Sequence, residues 1–98
     1  MEQIEFRYPN AKRCIANRAH VGVVGSGEME ALVQPSPDEG AHVSITTSVN
    51  GFRNTWKAVF DRFFGHFDGA VQIQINDAGA TPGTVLLRLE QAMEVLEQ

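Results

Sequence analysis

Between residues 41 and 76 the spacing of the apolar side chains changes from that of a strand to that of a helix and back, and this switch restricts the folds open to the chain. Ala41, Val43, Ile45 and Thr47 alternate with His42, Ser44, Thr46 and Ser48, the pattern of a strand with one buried and one wet face. After Asn50-Gly51, residues Phe52, Trp56, Val59, Phe60, Phe63, Phe64 and Phe67 share one helical stripe, with Arg53, Lys57, Asp61 and Arg62 on the other faces. Such an aromatic stripe reads as core rather than as a cofactor pocket, so the helix must pack on a sheet. Gly65 and Gly69 help to end it, and Val71, Ile73 and Ile75 then alternate with Gln72, Gln74 and Asn76. A strand, helix, strand unit of this length predicts a right-handed crossover between parallel strands.

The flanking segments complete a small α+β domain. Ile4, Phe6 and Tyr8 alternate with Glu5 and Arg7 up to Pro9, which predicts a short strand, and the polar stretch to His20 reads as a connection. Residues 1–19 are a candidate flexible arm. Val21, Val23 and Val24 form a β-branched run before Gly25-Ser26-Gly27-Glu28, and Met29, Ala31 and Val33 alternate up to Pro35. This is strand, turn, strand, with Ser26-Gly27 suited to the centre of a hairpin turn, where glycine tolerates positive φ, or with Gly25 and Gly27 supporting a bulged loop. Residues 34–40 are a second turn. Asp77 to Gly83 is a loop in which Thr81 caps a helix and Pro82 fits its first turn, and that helix turns Val85, Leu86, Leu89, Met93 and Leu96 inward. The expected fold is one domain over residues 1–98: a two-layer α+β sandwich with a four- or five-stranded mixed sheet and two helices on one face.

Charge and cysteine usage narrow the function classes. Twelve acidic against eight basic residues give a net charge of -4, which works against gathering nucleic-acid phosphates. Arg7, Lys12, Arg13 and Arg18 cluster near the N-terminus, so that segment is either a solvated arm or docks on an acidic surface, the protein's own included. Cys14 is the single cysteine, which excludes an internal disulfide and fits a reducing, cytoplasmic setting. The first residues lack the pattern of a secretion signal, and no apolar run is long enough to span a membrane. No membrane or nucleic-acid partner is therefore expected.

Catalytic motifs do not emerge. Gly22-Val23-Val24-Gly25-Ser26-Gly27 runs G-x-x-G-x-G and leads into a strand, so it lacks the spacing and the helix N-terminus that a dinucleotide requires. His20, His42 and His66 have no carboxylate or second histidine four residues on, and no serine stands in a nucleophile elbow. Cys14 has no partner motif. Glu28 and Glu30, two apart on a predicted strand, are expected to face the same way, as an ordinary surface pair. Neither a catalytic nor a metal-binding set is assigned. Ser26 remains, a hydroxyl flanked by Gly25 and Gly27 at the tip of a turn. It reads either as an ordinary turn residue or as an accessible modification site.

Three separated blocks bear on that choice: Val21 through Glu30, Thr47-Ser48-Val49-Asn50-Gly51 with Trp56 and Phe60 through Phe64, and Ile75 through Gly83 leading into Leu87 through Ala92. Together they resemble the acyl carrier (delta) subunit of bacterial malonate decarboxylase, over residues 20 to 97 in order, with Glu28 where Asp is more usual. The citrate lyase acyl carrier is a weaker match, and the D-S-L motif of helical acyl carriers is absent. The resemblance implies a non-catalytic carrier. Its Ser26 would hold 2'-(5-phosphoribosyl)-3'-dephospho-CoA through a phosphodiester, with Gly25 and Gly27 beside it, and present acetyl and malonyl thioesters to transferase and decarboxylase subunits. A prosthetic-group transferase is the implied modifying partner. The alternative is a small unmodified regulatory or interaction module, and a standalone enzyme is a third reading.

Overall fold

A computed structural model describes residues 1–9 and 11–97; Asn10 and Gln98 lie outside the described residues. Its strands are β1 (Glu2–Tyr8), β2 (Arg13–Cys14), β3 (Ala19–Gly22), β4 (Met29–Pro35), β5 (Ala41–Thr47) and β6 (Gly69–Asp77). Helix α1 (Arg53–Phe64) lies between β5 and β6, and α2 (Pro82–Leu96) follows β6. Strands run in the order β1-β5-β6-β4-β3, with β2 pairing β6 off this path. Only the β5–β6 and β2–β6 pairs are parallel among the described residues, so the period switch corresponds to a crossover through α1. The two-layer α+β sandwich expected from the sequence is the architecture found, with a five-strand path and the additional short β2.

Register explains the core. Ile4, Ile45, Ile75 and Ala31 lie abreast across four strands, and the next row is Phe6, Val43, Ile73 and Val33. All eight are buried, and direct neighbours on adjacent strands share a face. Intervening residues such as Glu5, Ser44, Gln74 and Leu32 line the opposite, wetter face. Phe60 is fully buried at the centre of the α1 stripe and packs against Trp56, Phe63, Phe64 and Phe6 with ring centroids 6.1–6.4 Å apart. The ends of the stripe differ from the sequence reading. Phe52 precedes the helix and is half exposed, whereas Phe67 follows it yet stays buried against Phe63. From α2, Val85, Leu89, Ala92 and Leu96 are buried, while Leu86 and Met93 are only partly covered.

Two expectations need correction. Within the candidate arm over residues 1–19, the expected strand is β1, which pairs with β5 along its whole length, and the stretch read as a connection contains β2, which joins β6 through Arg13 and Cys14. Apolar burial of Ile4 and Phe6 holds β1, and Tyr8 stacks on Phe64 while its hydroxyl donates to Asp61. Charge assists: Arg13 pairs with Asp68 and lies over the Phe67 ring, so part of the basic cluster docks on the protein's own acids. Secondly, β3 ends at Gly22, leaving Val23 and Val24 outside the strand and 64% and 62% exposed. Gly22 has φ 79°, and a Cβ there would stand 2.1 Å from the Met29 carbonyl oxygen, so the backbone turns away at that point. Truncating the centre of the aromatic cluster, Phe60→Ala, is expected to lower unfolding stability by about 3–5 kcal/mol, read from urea denaturation.

Candidate functional site

The six residues between β3 and β4 carry Ser26 to the end of the sheet where β5 and β6 also terminate. Gly25 through Glu28 form a β-turn: the Glu28 amide donates to the Gly25 carbonyl at 2.9 Å, with Ser26 and Gly27 at the centre and Gly27 at φ 73°. Ser26 is exposed, and a methyl group added at Gly25 or Gly27 would meet nothing within 4 Å. Both glycines therefore leave open space on either side of the hydroxyl. Gly27 also needs its freedom for the positive φ.

Although its tip is open, the turn is held at its base. The Gly27 amide donates to the Ala78 carbonyl at 2.7 Å, and the Ala78 amide donates to the Glu28 carbonyl at 2.9 Å. These bonds staple the serine turn to the loop after β6. That loop is organised by Asp77, whose buried carboxylate accepts from the Thr47 hydroxyl at 2.8 Å and from the Gly79 and Ala80 amides at 3.1 and 2.9 Å. Thr47 in turn accepts from the Val49 amide at 3.1 Å. Thr81 caps α2 by accepting from the Thr84 amide, with Pro82 at the first helical position, as its sequence predicts. The segment read as a strand-to-helix connection thus also supports the serine turn.

A second brace comes from α2. Arg88 donates from Nη2 to Glu28 Oε1 at 2.8 Å and from Nε to Oε2 at 3.3 Å, and its Nη1 reaches Gln91. The Arg88 hydrogen bonds hold the Glu28 carboxyl below the usual glutamate range. Glu28 precedes β4 and turns toward the helices, while Glu30, within β4, accepts from Asn76 and pairs with His20 on the opposite face. The expected same-face pair is therefore divided, because the alternation of a strand starts only at Met29. His20 and His42 each meet a carboxylate, Glu30 and Asp38 respectively. Cys14 is exposed on β2.

Beside the turn lies a cavity of about 300 Å³, bounded by α1, α2 and the ends of β5 and β6. Trp56, Val59, Val85 and Ala80 give it an apolar lining, and Val49 and half-exposed Phe52 stand at its margin. Ser26 does not line it, but Gly79 does, and a methyl group at Gly79 would lie 4.0 Å from the Gly27 nitrogen and 3.9 Å from Val49 Cγ2. Sequence reasoning did not find this space, since its walls come from two separated stretches, residues 47–59 and 77–85.

Comparison with known proteins places this geometry in a family. The family model described as malonate decarboxylase delta subunit (MdcD) matches residues 16–96. A malonate decarboxylase acyl carrier protein from Azotobacter vinelandii is 45% identical over 95 residues, covering 96% of this chain and 95% of the relative. One from Xanthomonas euvesicatoria pv. vesicatoria is 46% identical over 101 residues, covering 99% and 96%. A chain in the crystal structure of a Pseudomonas malonate decarboxylase hetero-tetramer in complex with malonate matches with a TM-score of 0.92 at 43% identity, covering 98% of this chain and 99% of that one.

Two measurements test the supports of the turn. Thr47→Val removes the buried hydroxyl that donates to Asp77 and is expected to cost about 1–3 kcal/mol of unfolding stability, with faster amide exchange at Gly79 and Ala80. In an NMR titration the Glu28 carboxyl is expected to protonate below the ordinary glutamate range, and Arg88→Ala is expected to return it upward. Because its folded pKa is depressed, the stabilisation from this pair is present above the unfolded pKa and is lost as pH falls through the folded one.

Proposed function

The chain belongs to the malonate decarboxylase delta-subunit family and is an acyl carrier subunit of that enzyme, and from this premise we propose that Ser26 is the attachment point of its prosthetic group. The observation that carries the proposal is the serine turn itself: an exposed hydroxyl between two glycines with open space around both, on a base fixed by Ala78 and Arg88. A modifying enzyme needs unobstructed access to such a hydroxyl, and a carrier needs its anchor held still.

The group is 2'-(5-phosphoribosyl)-3'-dephospho-CoA, joined through a phosphodiester. On attachment Ser26 Oγ bonds to the inner phosphorus of a phosphoanhydride-activated form of the group, the anhydride P–O bond breaks, its outer phosphate part departs, and the hydroxyl proton passes to a base of the modifying enzyme. A prosthetic-group transferase performs this step. When bound, the group supplies a thiol that carries acetyl and malonyl as thioesters. The chain's own residues then present and orient: Gly25 and Gly27 leave the anchor uncrowded, and Glu28 with Arg88 fixes the direction in which the turn projects. The chemistry belongs to other subunits, a transferase that exchanges malonyl for acetyl and a decarboxylase pair that removes carbon dioxide. This division accounts for a site made of one hydroxyl and its backbone supports. Tethering keeps the acyl group at high local concentration for each active site in turn.

Other malonate decarboxylase subunits are accordingly the proposed partners, and the hetero-tetrameric assembly of the structural relative supports that choice. No described helix is long and apolar enough to cross a membrane. An exposed free thiol at Cys14 supports a reducing, cytoplasmic setting.

Intact mass spectrometry of the chain produced together with its complete pathway tests the assignment. A mass increase is expected in the parent chain and its loss in Ser26→Ala, with decarboxylation by the assembled complex abolished. Folding stability of that variant is expected to stay within about 0.5 kcal/mol of the parent, since an exposed turn hydroxyl makes little contribution. A parent chain that supports decarboxylation while Ser26 stays unmodified overturns the proposal.

A further inference from the structure

The cavity next to the serine turn has no role in anchoring a prosthetic group, yet its position, size and charge together favour one occupant. We propose that it receives the acylated end of the Ser26-linked group when the acyl group is acetyl, and that it excludes malonyl. This inference rests on the assignment of Ser26 as the anchor.

Position comes first. Open sheets with crossover helices take ligands outside the carboxyl ends of their parallel strands, and the cavity lies at the ends of β5 and β6. Gly79 is at once a wall of the cavity and a close neighbour of Gly27. The acyl group stands at the far end of the arm from Ser26, so the arm enters by looping back on itself over the Gly79 backbone. Absence of a side chain at Gly79, held at φ 92°, leaves that crossing point low.

Size and lining select what fits. About 300 Å³ is at the small end of ligand cavities, enough for an acetyl thioester and the last atoms of its arm but too small for the nucleotide portion. Trp56, Val59, Val85 and Ala80 offer apolar contact to a methyl group and a sulfur atom. The Asp77 carboxylate on the wall is already engaged, by the Thr47 hydroxyl and the Gly79 and Ala80 amides, and the Thr55 hydroxyl stands at the exposed margin. Malonyl would bring its carboxylate beside the Asp77 carboxylate with no cation to meet it. Arg53 lies over the Phe6 ring, and Lys57 bonds to Asp61. Burying an unpaired carboxylate there is strongly unfavourable, whereas the neutral acetyl group pays no such penalty. The acetyl form is thereby shielded from water and stray nucleophiles between cycles, and the malonyl form is left outside, available to a partner subunit.

The test uses the full chain carrying the group on Ser26, with attachment verified by intact mass and by its loss in Ser26→Ala. Acetyl and malonyl forms are treated with hydroxylamine in native buffer and in urea, with the corresponding free thioesters as controls for the effect of urea. Native folding is expected to slow cleavage of the acetyl form about tenfold, the protection given by a state sheltered about 90% of the time, and to leave the malonyl form unprotected. Fluorescence of Trp56, the only tryptophan, is expected to change on acetylation and not on malonylation. Thr55 is exposed at the cavity margin, and Thr55→Phe is expected to remove both the protection and the fluorescence change while leaving the fold intact. Equal cleavage of the acetyl form in folded and unfolded chain, equal protection of malonyl, or full protection retained in Thr55→Phe overturns the inference and leaves the Ser26 anchor standing. A chain whose group is found elsewhere than Ser26 overturns both.

Discussion

The buried carboxylate of Asp77 is the point on which the functional end of this molecule depends. It sits on the last residue of β6 and accepts hydrogen bonds from the neighbouring parallel strand through Thr47 and from its own loop through Gly79 and Ala80. Those bonds fix the backbone between β6 and α2, and Ala78, in the middle of it, clasps Gly27 and Glu28 from both directions. One carboxylate thus organises the sheet end, the start of the second helix and the seat of the serine turn. An acid in so dry a place is tolerated because its acceptor capacity is filled by donors from several segments.

The rest of the fold supplies stiffness. Rows of apolar side chains across β1, β5, β6 and β4 meet the aromatic stripe of α1, and α2 closes the remaining half of the same face. The proposed role, in which one cargo passes among several active sites, favours a body that does not deform on each encounter. The ionic groups at the base of the serine turn serve the same end. Glu28 and Arg88 are consumed by each other and serve to hold the turn.

Much of this was legible in the chain. The change of apolar period between residues 41 and 76 marked the crossover, Thr81-Pro82 marked the start of α2, and Ser26-Gly27 marked the turn, because each signal is local and rests on backbone preference or periodicity. The failures share a cause in distance along the chain. The polar stretch before His20 gave no hint that Arg13 would meet Asp68 or that β2 would lie against β6. Val23 and Val24 looked like strand until the approach of Gly22 to Met29 forced the chain away. Glu28 and Glu30 separate because β4 starts between them, and the cavity emerges only when residues 47–59 and 77–85 are brought together. The resemblance of three blocks to the delta-subunit family indicated the family later matched over residues 16–96, although spacing alone had left Ser26 open between turn residue and anchor.

With Gly22 curving the chain at one end of the β3–β4 connection and Glu28 clamped at the other, little slack remains between them. The polypeptide behaves as a fixed post rather than a swinging boom. For the group proposed on Ser26, any sweep between distant stations must then be generated by rotatable bonds beyond Oγ, and the territory served would be measured out by the length of that group and the tilt of a single pedestal.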